Sequence, residues 1–186
     1  LAMTLAQSVL VTAEDYRLMP ETGPRYQLIE GELFMAPAPN RYHQDISRNV
    51  EFLLMKYLEK HPIGKLYDAP FDVYLTEHNV FQPDKVFVAN ERLSVLTRAG
   101  AEGAPNLVVE ILSDRTAHLD RNPKRRVYAA TGVQEMWIVD PHARTIEVYH
   151  LQKDHEHPAA VYQEKDTFTS LCFPGLNIRA KEIFKP

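Results

Sequence analysis

One cysteine, one tryptophan, seven glycines and no long apolar run are what this 186-residue chain has in short supply. A single thiol, Cys172, cannot close an intrachain disulfide, so the fold is expected to rest on a packed core in a reducing compartment, the cytoplasm. Between Leu171 and Phe173 it reads as a small core residue rather than a reactive thiol. No segment approaches the roughly 20 apolar residues that cross a bilayer, and Thr4 to Val11 lacks the basic flank of a signal peptide. Positive charge is also short. With 21 Lys and Arg against 25 Asp and Glu, the formal charge is −4, so no global field draws in nucleic acid, although a local basic groove beside an acidic site is not excluded. Met3 is expected as the natural start, with Leu1-Ala2 added ahead of it.

Hydrophobic residues at 45% and charged residues at 25% suit a globular chain with a real core. The length predicts a single domain over 1–186, with 1–11 as a flexible N-terminal segment. Thr12-Ala13-Glu14-Asp15 predicts a capped helix ending before Pro20. Tyr26 to Glu30 and Glu32 to Met35 predict two strands around Gly31. Ile46, Val50, Leu53, Leu54, Tyr57 and Leu58 form an apolar stripe at helical spacing, which predicts a helix from Arg41 to Lys60. Strands are expected at Leu66 to Leu75, with Pro70 marking an edge or bulge, and at Lys85 to Val88. Ala89 to Ala104 reads as a loop with a helical turn.

Leu107 to Leu112 is a continuous apolar run, the mark of a strand covered on both faces. A basic helix from Asn122 to Thr131 should end at Gly132. Strands at Gln134 to Val139, Thr145 to Leu151, Ala159 to Glu164 and Phe168 to Cys172 complete the pattern. The fold class is α/β, with a central mixed β-sheet flanked by helices.

Three residues stand out against this background. Asp84 begins a short apolar strand, Glu110 sits inside Leu107 to Leu112, and Lys124 follows in the next helix. Strand alternation puts Glu110 on the same face as Val108 and Leu112, where an unpaired carboxylate is expensive. It needs a partner, which a structural ion pair to Arg115 or Lys124 could provide, as could a metal. Two carboxylates and an ammonium are the smallest set for metal-assisted phosphodiester hydrolysis. Mg2+, or Mn2+ in its place, takes hard oxygen ligands and keeps several waters. Asp84, Glu110 and the backbone carbonyl of Ile111 could hold it, with Lys124 neutralising transition-state charge.

The chain resembles the Uma-two family, a branch of the PD-(D/E)xK nuclease-like superfamily. The matching pieces are Tyr26 to Leu33, Pro37-Ala38-Pro39 with His43-Gln44, Pro83-Asp84, Ala104 to Ser113, Lys124 with Tyr128, and Gly132 to Pro141, together covering roughly residues 12 to 150. The resemblance implies a restriction-endonuclease-like core and Mg2+-dependent cleavage of DNA. Asp84 then stands at the aspartate of the PD element and Glu110 at the acidic position of the next motif. The position two after Glu110, where the superfamily pattern has lysine, holds Leu112, and Lys124 from the following helix is the substitute. His43 is implied to face the same cleft and could bind phosphate or move a proton. Glu32 could join the acidic cluster, and Gln44 is a weaker candidate.

Arg121, Lys124, Arg125 and Arg126 could line a phosphate-facing groove, with a solvated helix surface the expected reading for at least half of them. Met136 to Val139 reads as core strand, and His155-Glu156-His157, lacking a third ligand, as a solvated turn. DNA is the expected substrate and no membrane contact is expected. A homodimer is expected because an enzyme that cuts both strands often pairs two copies. A catalytically silent module with the same fold, binding nucleic acid or protein, is the first rival. An unrelated α/β protein with a structural Glu110–Lys124 pair is the second.

Overall fold

The computed structural model describes residues 9–20 and 22–186. Most of the segment expected to be flexible, and the question of the natural start, lie outside the described residues. Within that segment Val11 is tied down, its N–H donating to the Gly31 carbonyl at 2.9 Å. The short helix α1 (Ala13–Arg17) opens on a reciprocal cap between Thr12 and Asp15.

The central sheet is mixed and has six strands. Its members are β3 (Gly64–Asp68), β6 (Lys85–Ala89), β9 (Leu107–Ile111), β10 (Glu135–Asp140), β11 (Thr145–His150) and β12 (Ala160–Gln163), in the order β12-β11-β10-β9-β6-β3. Only β9 and β10 run parallel. Parallel neighbours need a long crossover, and a helical segment provides it. That segment comprises α3 (Ala117–Leu119), a π-helical turn (Asp120–Lys124) and α4 (Arg125–Thr131). It begins five residues before the predicted Asn122. Pro123 lies inside the π turn. Having no N–H, proline leaves one helical hydrogen bond unmade, and the helix widens there. Gly132, at φ 101°, closes α4 in a left-handed conformation that a Cβ would disfavour.

The helix α2 (Arg41–Lys60) covers one face of the central sheet. Its buried Ile46, Val50, Leu54 and Leu58 pack with Phe87, Val109, Ile111 and Trp137. Burial of each such side chain stabilises by about 1.5–3 kcal/mol before entropic costs. The crossover covers the opposite face, where Leu119 and Tyr128 pack with Val108, Leu112 and Met136. The strand β9 is thus buried at every position, as its apolar run predicts.

A second six-stranded sheet stands beside the first and was not expected from the sequence. It contains β1 (Tyr26–Ile29), β2 (Glu32–Met35), β4 (Val73–Thr76), β5 (Asn79–Phe81), β7 (Leu96–Thr97) and β8 (Gly100–Glu102). The run predicted as one strand from Leu66 to Leu75 therefore breaks around Pro70 into β3 and β4, which belong to different sheets. The predicted loop at Ala89 to Ala104 contains a 3-10 turn (Asn90–Val95) and two strands. Of Phe168 to Cys172 only the start is strand: β13 (Thr167–Phe168) pairs with β14 (Ile178–Arg179), and α5 (Ala180–Ile183) follows. Cys172 is buried and free. Among the described residues no helix is long and apolar enough to cross a membrane.

Candidate active site

Three elements deliver polar side chains to one end of β9. The chain leaves the second sheet at Phe81 and enters the central sheet at Lys85, so Asp84 sits at the passage between them. Asp84 is fixed at once: its Oδ2 accepts from the Ile111 N–H at 2.7 Å. Its Oδ1 lies 3.3 Å from His43 Nε2. His43 stands in the first turn of α2 because the Asn40 side chain caps that helix, accepting from the His43 N–H at 2.8 Å. The same Nε2 lies 3.1 Å from the Ile111 carbonyl oxygen. A carboxylate and a carbonyl can only accept, so Nε2 carries the proton and donates to both.

Glu110 faces the crossover, as alternation predicts. Its Oε1 accepts from Lys124 Nζ at 2.6 Å and from the Tyr128 hydroxyl at 2.6 Å. Lys124 Nζ also donates to Asp120 Oδ1 at 2.7 Å. Lys124, Glu110 and Asp120 are all buried. Asp120 was missed from the sequence, although it lies four residues before Lys124, a spacing that brings helical side chains together. Asp120, Lys124 and Tyr128 form a ladder of that spacing, and Glu110 meets its last two members.

The electrostatics follow from this crowding. Burial lifts the Glu110 pKa to about 8; Lys124 opposes the rise, while the charges of Asp120 and Asp84 add to it. Burial also raises Asp120, again against Lys124. Lys124 is raised as well: burial disfavours the ammonium, but the two carboxylates outweigh it. Two carboxylates around one ammonium form an over-negative cluster that retains a proton or attracts a further cation. Burial disfavours a charged His43, yet its contacts with Asp84, then the Ile111 carbonyl and the Asp120 charge, lift it above the usual histidine range. Its buried Nδ1 has no hydrogen-bond partner among the described residues.

These groups line one cleft of about 610 Å³, walled by the Ala36 to Asn40 segment, the start of α2 and residues 113–116. Asp84, Glu110, Ile111, Lys124, His43 and Gln44 all line it. Glu32 does not. It is exposed on β2, the edge strand of the second sheet, opposite Ile29, and the structure separates it from the acidic cluster.

The basic groove expected on the crossover is also absent apart from Lys124. Arg121 pairs with Glu147 and Asp140, Arg126 with Glu30, and Arg125 is buried near the Tyr149 ring. Neighbouring acids on the sheet and hairpin claim Arg121 and Arg126, and Arg125 donates its Nε–H to the Arg121 carbonyl. The other basic residues that line the cleft are Arg25, Arg48, Lys85 and Arg115, of which Arg48 pairs with Asp45 and Lys85 with Glu51.

Among the described residues no group of three or more His, Cys, Asp or Glu side chains could by itself hold a metal ion. The expected set is smaller, two carboxylates and a carbonyl. Its donors are all hard oxygens, which suits Mg2+. Asp84 Oδ1 and the Ile111 carbonyl already converge on one positive donor, and a divalent cation would compete for the same two oxygens. Asp84 and the Ile111 carbonyl therefore suit such an ion, and Glu110, held by Lys124 and Tyr128, lines the same cleft.

A family model, Uma2, described as "Putative restriction endonuclease", matches residues 13–181. A Synechocystis sp. protein described as uncharacterized is 23% identical over 157 residues, which is 79% of this chain and 84% of that protein. The fold also matches the crystal structure of a "putative nuclease belonging to DUF820" from Anabaena variabilis. The TM-score is 0.78 at 21% identity, covering 94% of this chain and 97% of that one. At that identity the likeness is one of fold.

Proposed function

Since the chain belongs to the Uma2 family, we propose that it is a Mg2+-dependent endonuclease that hydrolyses DNA phosphodiester bonds, with Mn2+ as an alternative ion. The observation that carries this is the meeting of Asp84 Oδ1 and the Ile111 carbonyl on His43 Nε2, in the same cleft as Glu110 and Lys124. Asp84, Glu110 and the Ile111 carbonyl would hold the ion. When bound, it supplies Lewis-acid polarisation of the phosphate and a water of lowered pKa.

The chain's own groups do the rest. Tyr128 and Lys124 fix Glu110 through one oxygen, Oε1. The Lys124 ammonium, held between two carboxylates, neutralises charge that develops on the phosphate in the transition state. His43, protonated at Nε2, can donate to a phosphate oxygen or to the departing oxygen. A homodimer and action in the cytoplasm belong to the same proposal; sedimentation of the purified chain tests the first.

The deciding experiment is cleavage of plasmid and linear duplex with Mg2+ or Mn2+, with and without chelator. Asp84→Asn keeps an acceptor for the Ile111 N–H but loses the charge. It and Glu110→Ala should each abolish metal-dependent cleavage, and full activity in either would remove the assignment. One observation favours the silent-module alternative: Leu112 occupies the position of the superfamily lysine, and Lys124 is already claimed by two carboxylates. Calorimetry with Mg2+ separates the two, since a silent module has no need to bind metal through Asp84 and Glu110.

A further inference from the structure

Lys85 is a second buried lysine in the cleft and lies outside the proposed catalytic set. It follows Asp84 in the chain, but its side chain lies on the α2 side of the sheet. Its Nζ donates to Glu51 Oε2 on α2 at 3.0 Å. The pair is lopsided: the Lys85 side chain is 1% exposed and that of Glu51 44%. A buried ammonium needs a counter-ion, yet this one is held by a carboxylate that solvent reaches and that can swing away at little cost. Both residues line the cleft. Arg48, one turn earlier on α2 and 69% exposed at its side chain, lies at i−3 from Glu51 but already pairs with Asp45 at 2.8 Å, so a released Glu51 carboxylate turns to solvent.

We propose that Lys85 is a phosphate-binding site for the DNA backbone beside the reacting phosphate, and that Glu51 is its exchangeable counter-ion, displaced when a phosphodiester enters. This rests on the nuclease reading above and extends it. A chain of net charge −4 whose cleft carries an over-negative cluster needs such a device. In the absence of substrate Glu51 keeps the lysine neutralised. On binding, a phosphate replaces Glu51 without leaving any buried charge unpaired.

The test is binding of a short fluorescent DNA duplex over a range of KCl, in chelator and separately in Ca2+, with melting temperature recorded for each variant. Lys85→Met should weaken binding and lower the slope of log K against log salt by about 0.9, one phosphate contact. Glu51→Gln should bind about threefold tighter, the scale of an exposed charge pair, with a lowered melting temperature in the absence of DNA because Lys85 loses its counter-ion. If Lys85→Met fails to fold, Glu51→Gln alone decides. A Glu51→Gln protein that binds no tighter, or a folded Lys85→Met protein with an unchanged slope, makes the pair structural and overturns the assignment while leaving the nuclease reading intact. A wild-type chain that binds duplex in neither condition overturns both.

Discussion

Replacing Glu110 by glutamine should stabilise the metal-free protein at high pH while abolishing cleavage. The carboxyl is buried beside Asp120 and within the field of Asp84, and its pKa rises from 4.5 to about 8. A carboxyl with a raised folded pKa holds more protons in the folded than in the unfolded state, so stability falls as pH rises from about 4.5 through 8. At about 1.4 kcal/mol per pH unit, the full effect is at most about 5 kcal/mol, or roughly 10–20 °C in Tm for a chain of this size. In Glu110→Gln the amide oxygen can still accept from Lys124 and Tyr128, so this penalty disappears with little loss of contact. The assay is thermal unfolding of wild type and Glu110→Gln in chelator from about pH 4 to about pH 9. The two curves should nearly coincide at the acid end, below the ordinary glutamate value of 4.5, with the variant gaining steadily as pH rises towards about 8. A variant destabilised equally at both ends would mean that Glu110 is an ordinary ionised partner of Lys124, and the idea of an over-negative cluster would fall.

Removing Lys124 attacks the same cluster from the other side. Lys124→Met leaves Glu110 and Asp120 buried without their cation and should cost about 3–5 kcal/mol, more at pH 9 than at pH 6, as read by chemical denaturation. Tyr128→Phe deletes one buried hydrogen bond to Glu110 and should cost about 1–3 kcal/mol, with a smaller loss of cleavage than Glu110→Ala; an unchanged midpoint would show that the 2.6 Å contact adds nothing. For His43, whose folded pKa is raised, the pairing contribution is present below the ordinary histidine value and lost as pH rises through the folded one. His43→Gln should remove that limb from the pH profile of stability and, if the imidazolium serves the reaction, from the profile of cleavage.

Much of this site could be read from the chain before its fold was known, and the reasons are local. The Ile46, Val50, Leu54, Leu58 spacing located α2 with its bounds, and the run around Glu110 announced a fully covered strand with a carboxylate that had to be partnered. Lys124 stood out as a candidate partner for Glu110 before the resemblance added a role for it, and the structure brings the two together. Asp120 was missed because an acid in a polar stretch reads as solvated unless its i+4 lysine is known to be buried. The misassignment of Glu32 has a similar origin: an acid beside a glycine turn carries no signal of which sheet the hairpin joins. The second sheet was hidden for another reason. Its strands β5, β7 and β8 are two or three residues long, too short to show a period of two, and the pairings that join its hairpins into one sheet, β1 with β5 and β4 with β8, are non-local. For the arginines of the crossover the sequence left a phosphate-facing groove and a solvated helix face both open, because the acids that hold Arg121 and Arg126, Glu147 and Glu30 among them, are distant in sequence.

The widened turn at Asp120–Lys124 bears on how such a protein could change over generations. Each residue of a regular helix advances the next by about 100°. Losing one codon from this stretch would let the coil tighten and rotate either the acid or the ammonium away from Glu110, while Leu119 and the hairpin beyond Gly132 could keep their seats. A lineage could thus fall silent through one in-frame deletion without sacrificing its architecture, and regain its chemistry by the reverse step.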